Sequence, residues 1–122
     1  MRNPRKGMNK IILRKMIGYC ENIDELMKKY NSSFELYLSD ISFQYSCNMC
    51  ILKIGELTTR LSNDFKVQHS EIPWHLIKAL RNIHAHEYES IDFNGMWDTL
   101  TEDIPELKAS LAKILDEEST DE

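Results

Sequence analysis

Apolar side chains recur every three or four residues along most of this 122-residue chain, a period that admits helices and little else. From Met8 to about Tyr30, residues Ile12, Met16, Tyr19, Ile23, Leu26 and Tyr30 fall on one helical face. Phe43, Cys47, Cys50, Ile54, Leu57 and Leu61 come next at spacings of 4, 3, 4, 3 and 4, which predicts a second long helix from about Ile41 to Leu61. Asn31-Ser32-Ser33 separates the two. Phe34 to Leu38 reads as a short helical turn, and Ser39 or Asp40 can cap the second long helix. Gly55 lies inside the second stripe, where glycine weakens a helix, and so points to a close helix–helix approach.

The second half keeps the same period. Ser62 to Ser70 is polar and reads as a connection. Glu71-Ile72-Pro73-Trp74 reads as a helix start with Pro73 fixing φ in the first turn, and Leu76, Ile77, Leu80 and Ile83 continue it. Ser90 to Gly95 interrupts. Met96, Trp97, Leu100 and Ile104 open another helix, Pro105 marks a kink or restart, and Leu107, Leu111, Ile114 and Leu115 carry the last apolar face. No stretch alternates as a strand does, and no internal repeat is visible. The expected fold is all-α, an antiparallel bundle of four to five helices.

A chain of this length supports one modest core. We expect a basic N-terminal arm at 1–7, a helical domain at 8–115 and an acidic, disordered tail at 116–122. Net charge is −5, but residues 1–15 hold six bases and no acid, leaving nine bases against twenty acids in the rest, or −11. The basic start either touches RNA backbone or is simply solvated, and the second is the plainer reading. No apolar run nears the roughly 18–20 residues that span a bilayer, and Met1 to Met8 is not followed by a signal-like segment. A cytoplasmic location without membrane contact is expected. Cys47-Asn48-Met49-Cys50 has C-x-x-C spacing, but neither a thioredoxin-like context nor a second zinc-ligand pair is evident. Both cysteines lie on the helical stripe and read as small core hydrophobes.

Against this background, Arg81-Asn82-Ile83-His84-Ala85-His86-Glu87-Tyr88 concentrates a guanidinium, an amide, two imidazoles and a phenol. A guanidinium suits phosphate, and an imidazole moves a proton near neutral pH. On an ideal helix Arg81, His84, Ala85 and Tyr88 share one stripe, with Asn82 and His86 on the next. Arg81 and His86 are then about 140° apart around the axis and about 7.5 Å along it. One such helix makes a shallow site, whereas a second copy across a two-fold axis would make a cleft. The residue types suit attack of a ribose 2′-hydroxyl on the adjacent phosphorus. His86 would transfer the proton, Arg81 would stabilise charge on phosphate, and Asn82 would orient. No metal or cofactor is needed. His84 and His86 point to different sides, which disfavours a shared metal, and Glu87 and Glu89 are too few for a two-metal nuclease. The plainer alternatives are that Arg81 bridges to an acidic helix face and that Tyr88 is a core tyrosine with a wet hydroxyl.

These residues also resemble a known family. Ile72-Pro73-Trp74, Leu80-Arg81-Asn82, His86-x-Tyr88, Ile91-Asp92 and Trp97 are similar to the HepT-like proteins of the HEPN superfamily. Ile54-Gly55-Glu56-Leu57-x-x-Arg60-Leu61-Ser62 and Asp103-Ile104-Pro105-Glu106-Leu107 extend the likeness over about Met8 to Leu115. The resemblance implies an all-α homodimer with its cleft at the dimer interface. It implies a metal-independent endoribonuclease toxin of a toxin–antitoxin pair of type II or VII, with RNA as substrate and no DNA partner. Arg81 and His86 would be catalytic, with Asn82 beside the arginine. Tyr88 would be the tyrosine to which an MNT-type nucleotidyltransferase antitoxin adds AMP. His84 departs from the family, which usually has an apolar residue there, with a larger apolar one where this chain has Ala85. It either supports the cleft as a second proton-transfer or phosphate group or is a polar substitution without consequence. The rival to the enzyme reading is a non-catalytic helical dimer that binds a nucleotidyltransferase partner or a nucleotide.

Overall fold

The computed structural model describes residues 4–82 and 91–120, and among these there is no strand. Three long helices, α1 (Pro4–Lys29), α3 (Ile41–Thr58) and α7 (Ile104–Thr120), make the body. Four helices of six residues each, α2 (Phe34–Ser39), α4 (Asn63–Gln68), α5 (Trp74–Ala79) and α6 (Phe93–Asp98), fill the connections. Helix α1 packs on both α3 and α7, and α3 packs in turn on α5. The all-α bundle expected from periodicity is therefore the fold, with more short helices than the four to five elements anticipated.

The two stripes read from sequence are the core. Ile12, Met16 and Ile23 of α1 meet Phe43, Cys47, Ile51 and Ile54 of α3, all at most 1% exposed. At this depth, cutting a leucine or isoleucine to alanine costs roughly 2–5 kcal/mol. The three cysteines are free and buried, and burial pushes the Cys20 and Cys47 thiols up to about 12. Among the described residues, no group of three or more His, Cys, Asp or Glu side chains could hold a metal ion. The C-x-x-C is thus core packing. An aromatic cluster closes one side of the bundle: Tyr30 stacks on Phe43 at 4.3 Å, and Tyr37, fully buried, donates its hydroxyl to Asn48 Oδ1 at 2.6 Å.

Local chemistry sets the boundaries. Helix α1 ends in a left-handed pair, Asn31 (φ 57°) and Ser32 (φ 49°), and Ser32 N–H reaches back to Met27 O at 2.8 Å. That 6→1 bond satisfies a carbonyl the helix end would otherwise leave open. Asp40 caps α3, its carboxylate accepting from Phe43 N at 2.9 Å. Pro105 has no N–H to offer the carbonyl four residues back. The chain accordingly widens into a π turn over Thr99–Asp103 and restarts at Ile104.

Three boundaries differ from expectation. Helix α1 begins at Pro4, inside the stretch expected to be an arm, because proline is preorganised for a first helical position. Helix α7 continues to Thr120, so the acidic segment from Asp116 is helical up to that residue. The stretch 62–70 is not a plain connection. Ser62 Oγ accepts from Phe65 N at 3.2 Å, and Ser62 exchanges two hydrogen bonds with Asn9 of α1, forming and anchoring α4.

Candidate active site

Helix α5 presents the start of the Arg81 motif, and its lower face is fixed by two residues. Trp74 and Ile77, one turn apart, are 7% and 8% exposed. Trp74 also donates its indole N–H to His69 O at 3.0 Å. Pro73 sits just before the helix (φ −77°) and supplies no side-chain cap, so this buried indole holds the start in place. Burying positions 74 and 77 turns His75, Leu76, Lys78 and Ala79 outward. Leu76, expected on the apolar face, is 60% exposed.

The α-helix stops before the motif. Leu80–Asn82 is a 3₁₀ turn, and Arg81 and Asn82 are both exposed on it while Leu80 packs against the core. The regular α-helix assumed for Arg81 through Tyr88 therefore does not hold at its first two members, since a 3₁₀ turn advances about 120° per residue rather than 100°. His84, His86 and Tyr88 lie outside the described residues, as do the angle and rise expected between Arg81 and His86. Of the candidate residues, the structure places Arg81 and Asn82 together on one solvent-facing turn.

That turn rests on α3 rather than on side chains alone. A Cβ built at Gly55 would fall 2.5 Å from Arg81 N, so the two backbones meet at glycine. The close approach expected at Gly55 is the seat of the candidate site.

Two exposed residues near Arg81 escaped the sequence reading. His75 and Lys78 precede it at three-residue intervals on the outer face of α5. Lys66 on α4 is held below its ordinary pKa, first by burial and then by the charge of Lys78. A count of i, i+3 neighbours back from Arg81 would have found both His75 and Lys78. His69 also went unweighed. Its ring lies on Phe65 (centroids 4.6 Å), with Nδ1 3.8 Å from Glu71 and Nε2 3.7 Å from Glu118 at the end of α7. The ring thus lies between the last turn of α7 and the loop that opens α5.

An apolar groove of about 400 Å³ runs on the other side of α5, between Leu76, Ile77 and Leu80 and Ile104 and Leu107. Glu71, Asp103 and Glu106 also line it, and Arg81 does not. Those carboxylates repel phosphate, so an anion is favoured at the Lys78–Arg81 surface instead.

A small helical bundle that displays an Arg-Asn pair on a buttressed, exposed turn defines a class, the all-α domain. The chain belongs to the Ribonuclease HepT-like family, whose model matches residues 16–114. It is 33% identical over 109 residues to the "Probable ribonuclease HepT" of Thermococcus cleftensis, covering 89% of this chain and 97% of that protein. It is 30% identical over 118 residues to the "Putative RNase TTE0752" of Caldanaerobacter subterraneus subsp. tengcongensis, covering 97% and 99%. No solved structure gives a significant match. No helix among the described residues is long and apolar enough to cross a membrane.

Proposed function

We propose that this protein is a metal-independent endoribonuclease, the toxin of a toxin–antitoxin pair. The observation that carries the reading is the exposed Arg81-Asn82 turn, held on buried Trp74 and Ile77 and on Gly55, in a chain of the HepT-like ribonuclease family. The names of its relatives as ribonucleases support RNA as the substrate. In this mechanism the 2′-hydroxyl attacks the adjacent phosphorus in line, and the P–O bond to the next nucleotide's 5′-oxygen breaks. His86 takes the proton from the 2′-hydroxyl and returns a proton to the departing 5′-oxygen, leaving a 2′,3′-cyclic phosphate and a 5′-hydroxyl. Arg81 stabilises the charge that builds on the phosphate oxygens, and Asn82 orients the phosphate by hydrogen bonds. His84 supplies a second proton-transfer or phosphate group, and Lys78 steers the RNA backbone towards the site.

The site is shared by two copies of the chain, which turns one shallow surface into a cleft. Tyr88 is the control point. An AMP group added there by an MNT-type nucleotidyltransferase antitoxin would place a bulky anion beside the cleft and compete for Arg81.

The test is RNA cleavage in EDTA by wild type, Arg81→Ala and His86→Ala, with growth arrest on expression as a second readout. Wild type should cleave, Arg81→Ala should lose about 10²–10³-fold in kcat, and His86→Ala about 10²–10⁴-fold. Wild type that neither cleaves nor arrests growth, yet binds a nucleotidyltransferase, would establish the non-catalytic partner-binding reading. Co-expression with the antitoxin should add AMP mass increments at Tyr88, and mapping them elsewhere would remove that residue's role.

A further inference from the structure

We propose that Gly55 is a positioning residue for Arg81. Its missing side chain lets α3 hold the Leu80–Asn82 turn backbone to backbone and so fixes where the guanidinium is displayed. The inference deepens the ribonuclease reading of the Arg81 site and rests on it.

A Cβ at Gly55 would lie 2.5 Å from Arg81 N, 3.1 Å from Ile77 O and 3.1 Å from Leu80 C. All three are main-chain atoms, Leu80 C and Arg81 N in the turn and Ile77 O near the end of α5, and Ile77 O and Arg81 N are acceptor and donor positions of one i, i+4 pair. Main-chain atoms cannot swing aside as the tip of a side chain does. Cβ contacts under 3.0 Å are essentially never found and ordinary contact begins at 3.4 Å, so any other residue at 55 must open this gap by about 0.5 Å, and by about 0.9 Å to relax it fully. The direction of yielding is also set. Around Gly55, α3 is pinned by Ile51, Ile54 and Thr58, all fully buried, and on the other side Ile77 is buried and Leu80 packs against the core, whereas Arg81 and Asn82 are exposed. The exposed Arg81 end of the contact is therefore the part that yields.

The other glycines show that this is particular to position 55. A Cβ at Gly7 or Gly18 meets nothing within 4 Å, and at Gly95 it meets only the movable carboxylate of Asp92. Alanine is also the better helix former. A glycine with no positional role inside α3 would accept alanine with a gain in stability.

The experiment is Gly55→Ala with Gly18→Ala as control, each checked for folding by circular dichroism and assayed for RNA cleavage in EDTA. Displacement of a catalytic group by about 1 Å costs roughly 10²-fold in rate. Gly55→Ala should therefore lose about 10²-fold in kcat with a much smaller change in KM, and Gly18→Ala should match wild type. The double variant Gly55→Ala/Arg81→Ala should cleave no more slowly than Arg81→Ala alone, because both losses pass through one guanidinium. Amide resonances of Arg81 and Asn82 should shift in Gly55→Ala while that of Leu111, deep in α7, stays in place. Wild-type kcat with an unmoved Arg81 amide would overturn the proposal, as would losses that add in the double variant. If wild type itself does not cleave, the ribonuclease reading fails, and the Arg81 amide alone then decides whether Gly55 sets the turn.

Discussion

Lys78 and Arg81 stand one turn apart on the same surface, and their chemistry assigns them different work. A lysine ammonium is a mobile point charge that attracts phosphate without fixing its orientation. A guanidinium on a seated turn presents paired donors in a fixed plane. Lys78→Ala should therefore weaken RNA binding about equally for all sequences and lower the slope of log K against log salt by about 0.7, the loss of one single-strand phosphate contact. Its kcat should stay within a few-fold of wild type. An unchanged salt slope in a binding titration would exclude Lys78 from the RNA path. The cysteines make a second claim at this scale. Folding raises the Cys20 and Cys47 thiols from an ordinary value of 9.0 to about 12 and raises Cys50 as well, in each case chiefly through burial. A thiol neutral in the fold but ionised in the unfolded chain favours folding less as pH climbs. Stability from this source is complete below about pH 9 and falls between about 9 and 12. Urea midpoints measured across that window should drop less in Cys47→Ala than in wild type, relative to each protein's own value at pH 8. Equal slopes would show that the thiol does not titrate between the two states.

Elements in this protein are set by caps and by contact, in different proportions from one helix to the next. Asp40 is the clear cap. Its carboxylate accepts from Phe43 N at 2.9 Å at the start of the helix that carries Gly55. Asp40→Ala should cost about 1 kcal/mol in urea unfolding while leaving Arg81 in place and cleavage by the folded protein unchanged. A loss of activity beyond the loss of folded protein would mean that fraying of α3 reaches Gly55. The core stripes of α1, α3 and α7 were legible in the sequence because long amphipathic helices repeat one spacing many times. So were a cap at Ser39 or Asp40, which the structure assigns to Asp40, and a kink or restart at Pro105, which is a restart after a π turn; both depend on single residues with strong local effects. Helix α4 went unread although its cap, Ser62 accepting from Phe65 N, is local; what the sequence could not show is that Ser62 is anchored to Asn9, 53 positions away. The 3₁₀ turn under Arg81 was also hidden. Periodicity reports which side chains are apolar, and a tightened turn is decided by what the backbone rests on, here the bare face of Gly55. Leu76 misled for the same reason: its apolar character fits the period, but Trp74 and Ile77 set the rotation of α5 and leave it outside.

At the scale of the whole molecule, the question is whether one chain makes a site. Arg81 and Asn82 occupy an exposed turn, and a single guanidinium in water holds phosphate weakly because solvent competes for every donor. A second copy facing it would exclude water, double the cations and strengthen each hydrogen bond. Apolar side chains are also exposed along α3: Ile41, Tyr45 and Met49 recur every four residues at 66%, 47% and 53% exposure, with Leu38 at 46% just before them. A contiguous apolar stripe of this kind commonly marks an interface. Sedimentation velocity should accordingly give a species of twice the 14.4 kDa chain mass at micromolar concentration. Ile41→Asp with Met49→Asp should shift it towards the monomer, because a carboxylate buried in an apolar interface has no partner to offset its desolvation. If the cleft is shared, cleavage per chain should fall on dilution through the same concentration range in which the dimer dissociates, and the double variant should lose activity at concentrations where wild type retains it. A dimer that survives both substitutions would move the interface off α3. Full activity per chain in a preparation sedimenting at the single-chain mass would mean that Arg81 works alone, and the two-fold cleft would have to be abandoned.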